Sequence, residues 1–234
     1  MDFAVIAAGE GSRLVQEGET TPKPLVRLKG ETLVTRLLHV FMDNDASSVS
    51  IIVNEEMTQV QTYLKDVQLP VPFHLHIQST PSSMHSFYAL SGYLRSDRFC
   101  LTTVDTIFRE DEFRRYIDAF RADETTDGLM AVTDFVDDEK PLYVQTDADG
   151  MIQDFSDSPK AGCRFVSGGI YCLKRNALDV LEAAMAEGMS RMRNYQRRLV
   201  AEGLKLKAYP FSKIIDVDHV DDILKAERFL YGQK

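Results

Sequence analysis

An apolar run that leads directly into a glycine turn opens the chain, and it constrains the fold more than any other stretch. Residues 3–8 are apolar, and with the glycines that follow they suit a strand buried on both faces. The turn reads Gly-Glu-Gly-Ser-Arg from Gly9 to Arg13, and its backbone N–H groups can approach a ligand closely. With Arg13 and Lys23 nearby, these groups predict a phosphate site. An ordinary strand-to-helix turn with two solvated cations is the alternative.

Lys23 lies between two prolines, and this spacing favours the functional interpretation. Pro22 and Pro24 fix the backbone φ angle on either side, so stiff backbone holds the lysine. Stiff backbone helps to aim one charge at a ligand, whereas a lysine that only needs water gains nothing from it. We therefore expect Lys23 to act together with the glycine turn.

Residues 7–14 and 22–25 resemble the signature of the nucleotidyltransferase superfamily. More narrowly, they resemble the sugar-phosphate nucleotidylyltransferases, which are also called nucleotide-sugar pyrophosphorylases. The resemblance implies a Rossmann-like three-layer α/β sandwich of the nucleotide-diphospho-sugar transferase type. It implies catalytic roles for Arg13, on the triphosphate of an NTP, and for Lys23, on the charge at the reacting phosphorus. In the glycine loop it implies the nucleotide-binding residues Ala8, Gly9, Gly11 and Ser12.

The bulk properties argue against several classes of function. A net charge of -9 argues against a general nucleic-acid binder, and no stretch approaches the length that spans a bilayer. The cysteines Cys100, Cys163 and Cys172 lie far apart without metal-ligand spacing, so we expect reduced thiols. The start of the chain lacks the basic region of a signal peptide. We therefore expect a cytoplasmic protein with no nucleic-acid or membrane partner.

Strand and helix patterns alternate through the first half of the chain. Helices are predicted at residues 31–44, 55–64, 83–93 and 109–122, and further strands at residues 48–53, 71–77 and 99–104. Such alternation predicts a parallel sheet covered by helices on both faces. We assign residues 1–125 as a nucleotide-binding half.

The second half, residues 126–234, is less regular, and we assign it as the acceptor-binding half of the same single domain. Strands are predicted at residues 129–134, 142–146, 151–155, 165–173 and 204–209, and helices at residues 176–187, 190–201 and 220–230. Asp147 to Gly150 has the chemistry of a turn, so the flanking strands should form a hairpin. The hairpin predicts a mixed, mainly parallel sheet and a lid-like excursion over the site.

Three aspartates are candidate ligands of Mg²⁺. Asp105 follows a predicted buried strand, where ligands of open α/β sheets bind, although capping of the next helix is the alternative. Asp216 and Asp218 share one face of an extended segment. Phosphate-bound Mg²⁺ takes one or two carboxylates, so Asp105 with one of the late pair meets its requirement. The resemblance implies the same site, and the choice between Asp216 and Asp218 stays open.

Small residues mark two further candidate contacts. Ser82 or Ser83 caps the helix predicted there, or else both contact the base and ribose of the nucleotide. The family resembled here usually has glycines in this loop, so the serines leave the choice of base open. Gly169 lies in a segment that resembles the strand lining the family's sugar site, and a β-bulge or tight packing is the alternative.

Lysines are candidates for binding the acceptor's phosphate. The family often has Glu-Lys-Pro ahead of its sugar-site strand, whereas this chain has Asp157, Ser158 and Pro159 there. Lys160, displaced by one residue, or Lys213, just ahead of the late aspartates, is the expected replacement. The basic run is interpreted as a solvated helix face from which one arginine could reach an anionic acceptor; it comprises Arg191, Arg193, Arg197 and Arg198.

These features predict transfer of NMP from an NTP to a sugar-1-phosphate, which gives an NDP-sugar and pyrophosphate. Mg²⁺, Arg13 and Lys23 would neutralise charge at the α-phosphate, and the acceptor oxygen is already an anion, so no general base is required. The enzymatic alternative is cytidylyl transfer to phosphocholine or another phosphorylated alcohol. The non-enzymatic alternative is a module that binds a nucleotide or NDP-sugar without turnover. The oligomeric state stays open, a homo-oligomer included.

Overall fold

The structure, a computed structural model, describes residues 1–137, 139–160 and 163–232. The strands of the first half are β1 (Asp2–Ala7), β2 (Arg27–Leu28), β3 (Glu31–Thr32), β4 (Ser48–Val53), β5 (Phe73–Ile77), β6 (Arg98–Thr103) and β7 (Thr106–Ile107). Its helices are α1 (Ser12–Gln16), α2 (Leu33–Met42), α3 (Thr58–Lys65), α4 (Ser83–Ser91) and α5 (Glu110–Ala122), with a short 3-10 helix at Lys23–Leu25.

The second half adds six strands and three helices within the described ranges. The strands are β8 (Gly128–Thr133), β9 (Tyr143–Thr146), β10 (Ile152–Ser156), β11 (Phe165–Lys174), β12 (Leu206–Phe211) and β13 (Ile215–Asp216). The helices are α6 (Asn176–Ala186), α7 (Met192–Ala201) and α8 (Val220–Tyr231).

β1 lies inside a nine-stranded sheet and has parallel neighbours on both sides. It pairs with β4 on one side and with β6 on the other, and β5 continues the parallel part beyond β4. Beyond β6, β11 runs antiparallel and pairs with β8 and β9, while β12 pairs in parallel with β8. This arrangement confirms the predicted single α/β domain with a mixed sheet built around parallel strands.

All six residues of β1 are buried, which confirms the prediction made from the opening run. Phe3 and Val5 lie in one hydrophobic core, where Phe3 stacks on Phe41 of α2 with 4.6 Å between the ring centroids. Ala4 and Ile6 lie in a second core, which includes residues of α4, α6 and α7. Because successive side chains of a strand point to opposite faces, β1 separates the two cores. The domain therefore has the predicted three layers.

Local pairing explains two boundaries that differ from the predictions. The helix predicted from residue 31 begins at Leu33, because β3 pairs with β2 and Thr32 accepts the N–H of Thr35 as its cap. The last strand of the main sheet ends at Phe211 rather than at residue 209. Proline is tolerated at position 210 because β8 is the one strand that pairs with β12 along its length in the described structure; on its other side β12 makes an isolated bridge from Lys207 to Met151.

The predicted hairpin forms, but it is not a lid. In its turn the Asp147 carboxylate accepts the N–H groups of Asp149 and Met151, and Gly150 has a φ of 80°. β9 and β10 pair antiparallel, and β9 also pairs with β11. The hairpin is therefore one edge of the main sheet, and the prediction of a lid-like excursion is wrong because its backbone hydrogen bonds hold it there.

A two-stranded ribbon that was not predicted joins the two halves of the chain. β13 pairs antiparallel with β7, and Asp216 lies opposite Thr106. The N–H of Val217 also donates to the backbone oxygen of Asp105 at 3.1 Å. The ribbon therefore brings the late aspartates beside the residue that follows β6.

The cysteines lie apart from these segments. Cys100 and Cys172 are buried, lie opposite each other on β6 and β11, and are free thiols, as is the partly buried Cys163. In the described ranges, no helix combines the length and the apolar character that crossing a membrane requires.

Candidate active site

The carboxyl ends of β1 and β6 bring the glycine loop next to Asp105. The two strands are parallel neighbours with Ile6 opposite Thr103, so the segments that follow them leave the sheet at the same edge. The loop turns into α1 at Gly11, whose φ of 62° lies in the left-handed region. A β-carbon on Gly11 would lie 3.3 Å from that of Lys23, so glycine lets the loop pack directly against the lysine.

Lys23 is the buried centre of the site. Its Nζ donates to Oδ2 of Asp105 at 2.7 Å and to Oδ1 of Asp218 at 2.6 Å, and its side chain is only 9% exposed. Burial alone would lower the pKa of Lys23, but the two carboxylates outweigh it and the pKa is raised above its ordinary value. Lys23 is therefore a fixed positive charge between two carboxylates.

Arg13 is held by carboxylates in the same way. Its Nη1 donates to Oδ2 of Asp218 at 2.7 Å, and its Nη2 donates to Oε2 of Glu139 at 3.1 Å. Asp218 therefore bridges Arg13 and Lys23, the two cations with predicted catalytic roles. We call these residues the charge cluster, and they are Arg13, Lys23, Asp105, Glu139 and Asp218.

The structure separates the two late aspartates. Asp218 shares the ammonium group of Lys23 with Asp105. Asp216 accepts a hydrogen bond from the hydroxyl of Thr106 at 3.2 Å instead. Of the two, Asp218 is the carboxylate that shares a cation with Asp105, and the assignment of a metal ligand stays a prediction.

A cavity of about 430 Å³, which we call the loop-side cavity, lies beside the charge cluster. Lys23 and Asp105 both line it. Most of the predicted nucleotide-binding residues also line it, namely Ala8, Gly9, Ser12, Ser82 and Ser83. The remaining one, Gly11, packs against Lys23.

Hydroxyl groups at the start of α4 also line the loop-side cavity. Ser82 occupies the N-cap position, but its hydroxyl lies 2.8 Å from Nδ1 of His85, and in the described structure it makes no capping bond to the helix backbone. The capping alternative is therefore wrong for Ser82. Thr80 and Ser86, which were not predicted, share a hydrogen bond of 2.6 Å between their hydroxyls. Such groups can donate to or accept from a base or a ribose.

A second cavity, of about 450 Å³, lies along β11, and we call it the strand-side cavity. It shares Ile6, Ser83 and Thr103 with the loop-side cavity, so the two cavities are adjacent. Asp216 and the predicted acceptor residue Gly169 both line the strand-side cavity.

Gly169 lies at a bulge. The register of β11 against β8 shifts between Ser167 and Tyr171, which confirms the bulge that was the alternative for this position. Gly169 has a φ of 74°, and a β-carbon there would lie 3.3 Å from the hydroxyl oxygen of Thr106. The backbone therefore favours glycine at this position, and a side chain here would crowd the ribbon beside the charge cluster.

A chain of hydrogen bonds lines the strand-side cavity. The hydroxyl of Ser167 donates to Oε1 of Gln196 at 3.0 Å, and Nε2 of Gln196 donates to the hydroxyl oxygen of Tyr171 at 3.4 Å. Burial raises the pKa of Tyr171 to about 12, so its hydroxyl stays neutral near pH 7. These groups suit an uncharged polar ligand that makes several hydrogen bonds.

Basic side chains also line the strand-side cavity, namely Lys140, Arg191 and Arg193. Arg191 has a φ of 72° and a ψ of 132°, a backbone conformation that costs a residue other than glycine about 1–3 kcal/mol. Its N–H donates to the hydroxyl of Ser82 at 3.4 Å, which links α7 to the loop-side cavity. Arg193 is ion-paired with Asp157. The interpretation of the basic run as a solvated face is therefore incomplete, because two of its arginines line a cavity.

The two predicted acceptor lysines lie elsewhere. Lys160 is ion-paired with Asp154 on β10, and Nζ of Lys213 lies 3.9 Å from the ring centroid of Phe135. Among the described residues that line the two cavities, neither lysine is present. Their roles stay predictions.

The charge cluster has the chemistry that Mg²⁺ requires. The described residues contain no group of three or more His, Cys, Asp and Glu side chains arranged around one metal position. Mg²⁺ prefers fewer protein ligands, one or two carboxylates together with phosphate oxygens and waters. Asp105 and Asp218 already hold one cation between them, the ammonium of Lys23, so they fit a divalent ion that arrives with a triphosphate.

Sequence reasoning missed Glu139, Tyr171 and Gln196. Glu139 lies in a loop with no motif around it, so no local signal could have found it. Tyr171 lies two residues after Gly169 on β11, and the strand period of two could have marked it as part of the same face. Gln196 lies among the arginines of α7, and helical spacing from Arg193 could have marked it as part of the same face.

Comparison with known proteins agrees with the geometry. A model of the nucleotidyl transferase family matches residues 4–233. The bifunctional protein GlmU of Methanococcus maripaludis (strain S2) is 22% identical over 237 residues, which cover 97% of this chain and 53% of that protein. The chain thus spans about half the length of the curated relatives it matches.

Two solved structures share the fold. The inositol-1-phosphate CTP transferase from T. maritima is 19% identical, with a TM-score of 0.79 over 97% of this chain and 96% of that one. A proposed glucose-1-phosphate thymidylyltransferase from Bacillus anthracis is 18% identical, with a TM-score of 0.85 over 100% of this chain and 96% of that one. With the family match across nearly the whole chain, these findings lead to one conclusion: the chain belongs to the nucleotidyl transferase family.

Proposed function

We propose that this chain transfers NMP from an NTP to a phosphorylated small molecule, in the first place a sugar-1-phosphate, and releases pyrophosphate. One observation carries the proposal: Lys23 lies between Asp105 and Asp218 and lines the loop-side cavity, which adjoins the strand-side cavity. The NTP would bind in the loop-side cavity and the acceptor in the strand-side cavity. The reacting phosphorus would then lie between them, next to the lysine.

Positioning and charge neutralisation would drive the reaction. The acceptor's phosphate oxygen, already an anion, would attack the α-phosphorus without a general base. The bond from that phosphorus to the bridging oxygen would break, and pyrophosphate would leave with the electron pair. Arg13 and Lys23 would pair with the phosphates and stabilise the charge on their oxygens. Mg²⁺, held by Asp105 and Asp218, would add neutralising charge as a Lewis acid.

The strand-side cavity supports an acceptor that carries several hydroxyl groups. Ser167, Gln196 and Tyr171 offer it donors and acceptors, and Arg191 and Arg193 would bind its phosphate. The names of the two solved relatives, which refer to inositol-1-phosphate and glucose-1-phosphate, support the same class of acceptor. Lys160 and Lys213 would have to move to take part.

Phosphocholine is supported less well as an acceptor. A trimethylammonium group is recognised by open aromatic faces. Among the described residues that line the strand-side cavity, Tyr171 is the one aromatic residue, and it is only 7% exposed. Among the alternative acceptors, we therefore place a phosphorylated polyalcohol such as inositol phosphate ahead of phosphocholine.

Three further predictions belong to the proposal. They are a cytoplasmic location, a division into two halves at residue 125, and a homo-oligomer.

Pyrophosphate release tests the function directly. Each of the four NTPs would be incubated with Mg²⁺ and one acceptor, either glucose-1-phosphate, inositol-1-phosphate or phosphocholine. We expect release with a polyalcohol phosphate and loss of that release in excess chelator. Tight NTP binding without release for any pair would support the non-catalytic module instead, and release with phosphocholine alone would overturn the choice of acceptor class.

A further inference from the structure

The ammonium group of Lys23 lies where a metal ion would be bound. Its Nζ is 2.7 Å from one oxygen of Asp105 and 2.6 Å from one oxygen of Asp218. These are the two carboxylates to which we assign Mg²⁺. An ion bound by the same two oxygens would need the space that Nζ fills, because Mg²⁺ lies only about 2.0–2.1 Å from its ligands. Lysine and metal therefore compete for one position.

Electrostatics favours the lysine when no nucleotide is bound. Lys23 is buried, and its charge is compensated by these two carboxylates. Removing them from the ammonium would leave a buried charge without a partner, which is strongly unfavourable. An incoming Mg²⁺ would therefore have to displace the ammonium of Lys23 from both of its carboxylate partners.

The backbone around Lys23 allows its side chain to move while its main chain stays in place. Pro22 and Pro24 restrict the backbone on both sides. Gly11 lies over the lysine side chain, where a β-carbon would come within 3.7 Å of its Cε. Rotation of the side chain alone can therefore carry Nζ from the carboxylates towards the loop-side cavity, which Lys23 also lines.

We propose that Lys23 occupies the metal position in the free protein and leaves it only when an NTP binds. The triphosphate gives the ammonium a new anionic partner, and the vacated carboxylates then accept the divalent ion. The ion and the nucleotide consequently bind together, and the free protein has little affinity for the ion alone. This inference rests on the proposed function, since it takes the metal ligands and the nucleotide cavity from it.

Mn²⁺ binding in the absence of nucleotide tests this exchange. Free Mn²⁺ would be measured by electron paramagnetic resonance during titration of wild-type protein, Lys23→Met and Lys225→Met. Lys225 is the matched control, because it too joins two carboxylates, Asp137 and Asp222, each at 3.0 Å. We expect Lys23→Met to bind Mn²⁺ at least about tenfold more tightly than wild type, since the competing charge is gone. Lys225→Met should behave like wild type.

Two further variants locate the ion and guard against misfolding. Adding Asp105→Asn to Lys23→Met should abolish the gain in affinity. Asp105→Asn alone should leave Mn²⁺ binding unchanged from wild type, because the free protein does not use the site. Lys23→Gln gives the same comparison if the methionine variant does not fold.

The proposal is overturned if wild type binds Mn²⁺ as tightly as Lys23→Met, if Lys225→Met gains as much, or if Asp105→Asn alone weakens binding. None of these readings involves turnover. Failure of the proposed function would instead appear as missing pyrophosphate release, whatever the Mn²⁺ titrations give.

Discussion

Arg13 and Glu139 form an ion pair across 126 positions of the chain, with 3.1 Å between Nη2 and Oε2. Their side chains are 41% and 59% exposed, so the pair itself contributes little to stability. The pair matters more for nucleotide binding. Arg13, which is proposed to bind the triphosphate, is ion-paired with the carboxylate of Glu139 in this structure. If Arg13 binds the triphosphate as proposed, an NTP would have to displace Glu139 from it.

Glu139→Gln should therefore improve nucleotide binding. We expect the KM for NTP to fall about two- to fivefold with kcat unchanged, which corresponds to an exposed ion pair that no longer competes. Asp137→Asn is the matched control, because it removes a charge from the same loop but pairs with Lys225 instead of Arg13. Steady-state kinetics of the three proteins decide the point. An equal fall in KM for both variants would mean that general charge, and not the pair, is responsible.

The three aspartates should differ in their effect on kcat. Asp105→Asn and Asp218→Asn should each lower kcat by about two orders of magnitude or more, because each loses about 3 kcal/mol of transition-state stabilisation. Asp216→Asn should act less on kcat, since Asp105 and Asp218 share the ammonium of Lys23, whereas Asp216 accepts a hydrogen bond from Thr106. Circular dichroism would check that all three variants fold. A larger loss of kcat for Asp216→Asn than for Asp218→Asn would reverse this assignment.

Arg191→Gly should separate backbone strain from binding. Glycine adopts a positive φ at a lower cost than arginine does, so we expect the free energy of unfolding to rise by about 1 kcal/mol. Loss of the guanidinium should raise the KM for the acceptor about tenfold and leave the KM for NTP unchanged. Arg198→Ala is the control, because that arginine pairs with Glu187 and Glu202. An unchanged acceptor KM in Arg191→Gly would remove Arg191 from the acceptor site.

The stability of the fold should depend on pH through the protonation of Asp2. Burial alone would raise the pKa of Asp2, but hydrogen bonds from Ser96, Ser48 and the N–H of Arg95 outweigh it and hold the pKa below its ordinary value. Because the pKa of Asp2 is lower in the folded state, its ionised form stabilises the fold at pH values above its unfolded-state pKa of about 4. This stabilisation is lost as the pH falls through the folded-state pKa.

Asp2→Asn should consequently lower the free energy of unfolding by about 1–3 kcal/mol at pH 7. The difference from wild type should shrink between pH 5 and pH 3, because a protonated aspartate resembles asparagine. Urea denaturation at several pH values measures both quantities. A difference that stays constant down to pH 3 would show that the charge of Asp2 contributes nothing.

Local patterns predicted most of the framework of this chain. Neighbouring residues alone predict the buried strand β1 and the alternation of strands and helices. They also predict the glycine loop, where Gly11 adopts a positive φ. The candidate roles of Lys23 and Asp105 also come from local motifs, the lysine between two prolines and the aspartate directly after a strand. The parallel pairing of β1 with β6 then brings the two motifs to the same edge of the sheet, where Lys23 and Asp105 form a hydrogen bond.

Local sequence patterns could not predict the contacts between segments that are distant in the chain. The pairing of β13 with β7 decides which late aspartate reaches Lys23, and a two-residue ribbon leaves no periodicity to detect. Glu139 reaches Arg13 from a loop without any motif. The prediction of a lid-like excursion is wrong because the pairing of the hairpin with β11 is long-range and leaves no local pattern. Arg191 and Gln196 face a cavity only because α7 packs where it does.

The most direct test of the account is single-turnover transfer of label from an [α-³²P]NTP to the acceptor by wild type, Lys23→Ala and Lys23→Arg. Lys23→Ala leaves two carboxylates without their cation, so folding would be checked first, and Lys225→Ala serves as the matched lysine control. If Lys23 neutralises charge at the reacting phosphorus, label should pass to the acceptor in wild type and Lys225→Ala. The transfer rate should fall about a hundredfold or more in Lys23→Ala, far more than NTP binding weakens, and arginine should not restore it. Transfer by Lys23→Ala at the wild-type rate, with only weaker NTP binding, would contradict the central claim.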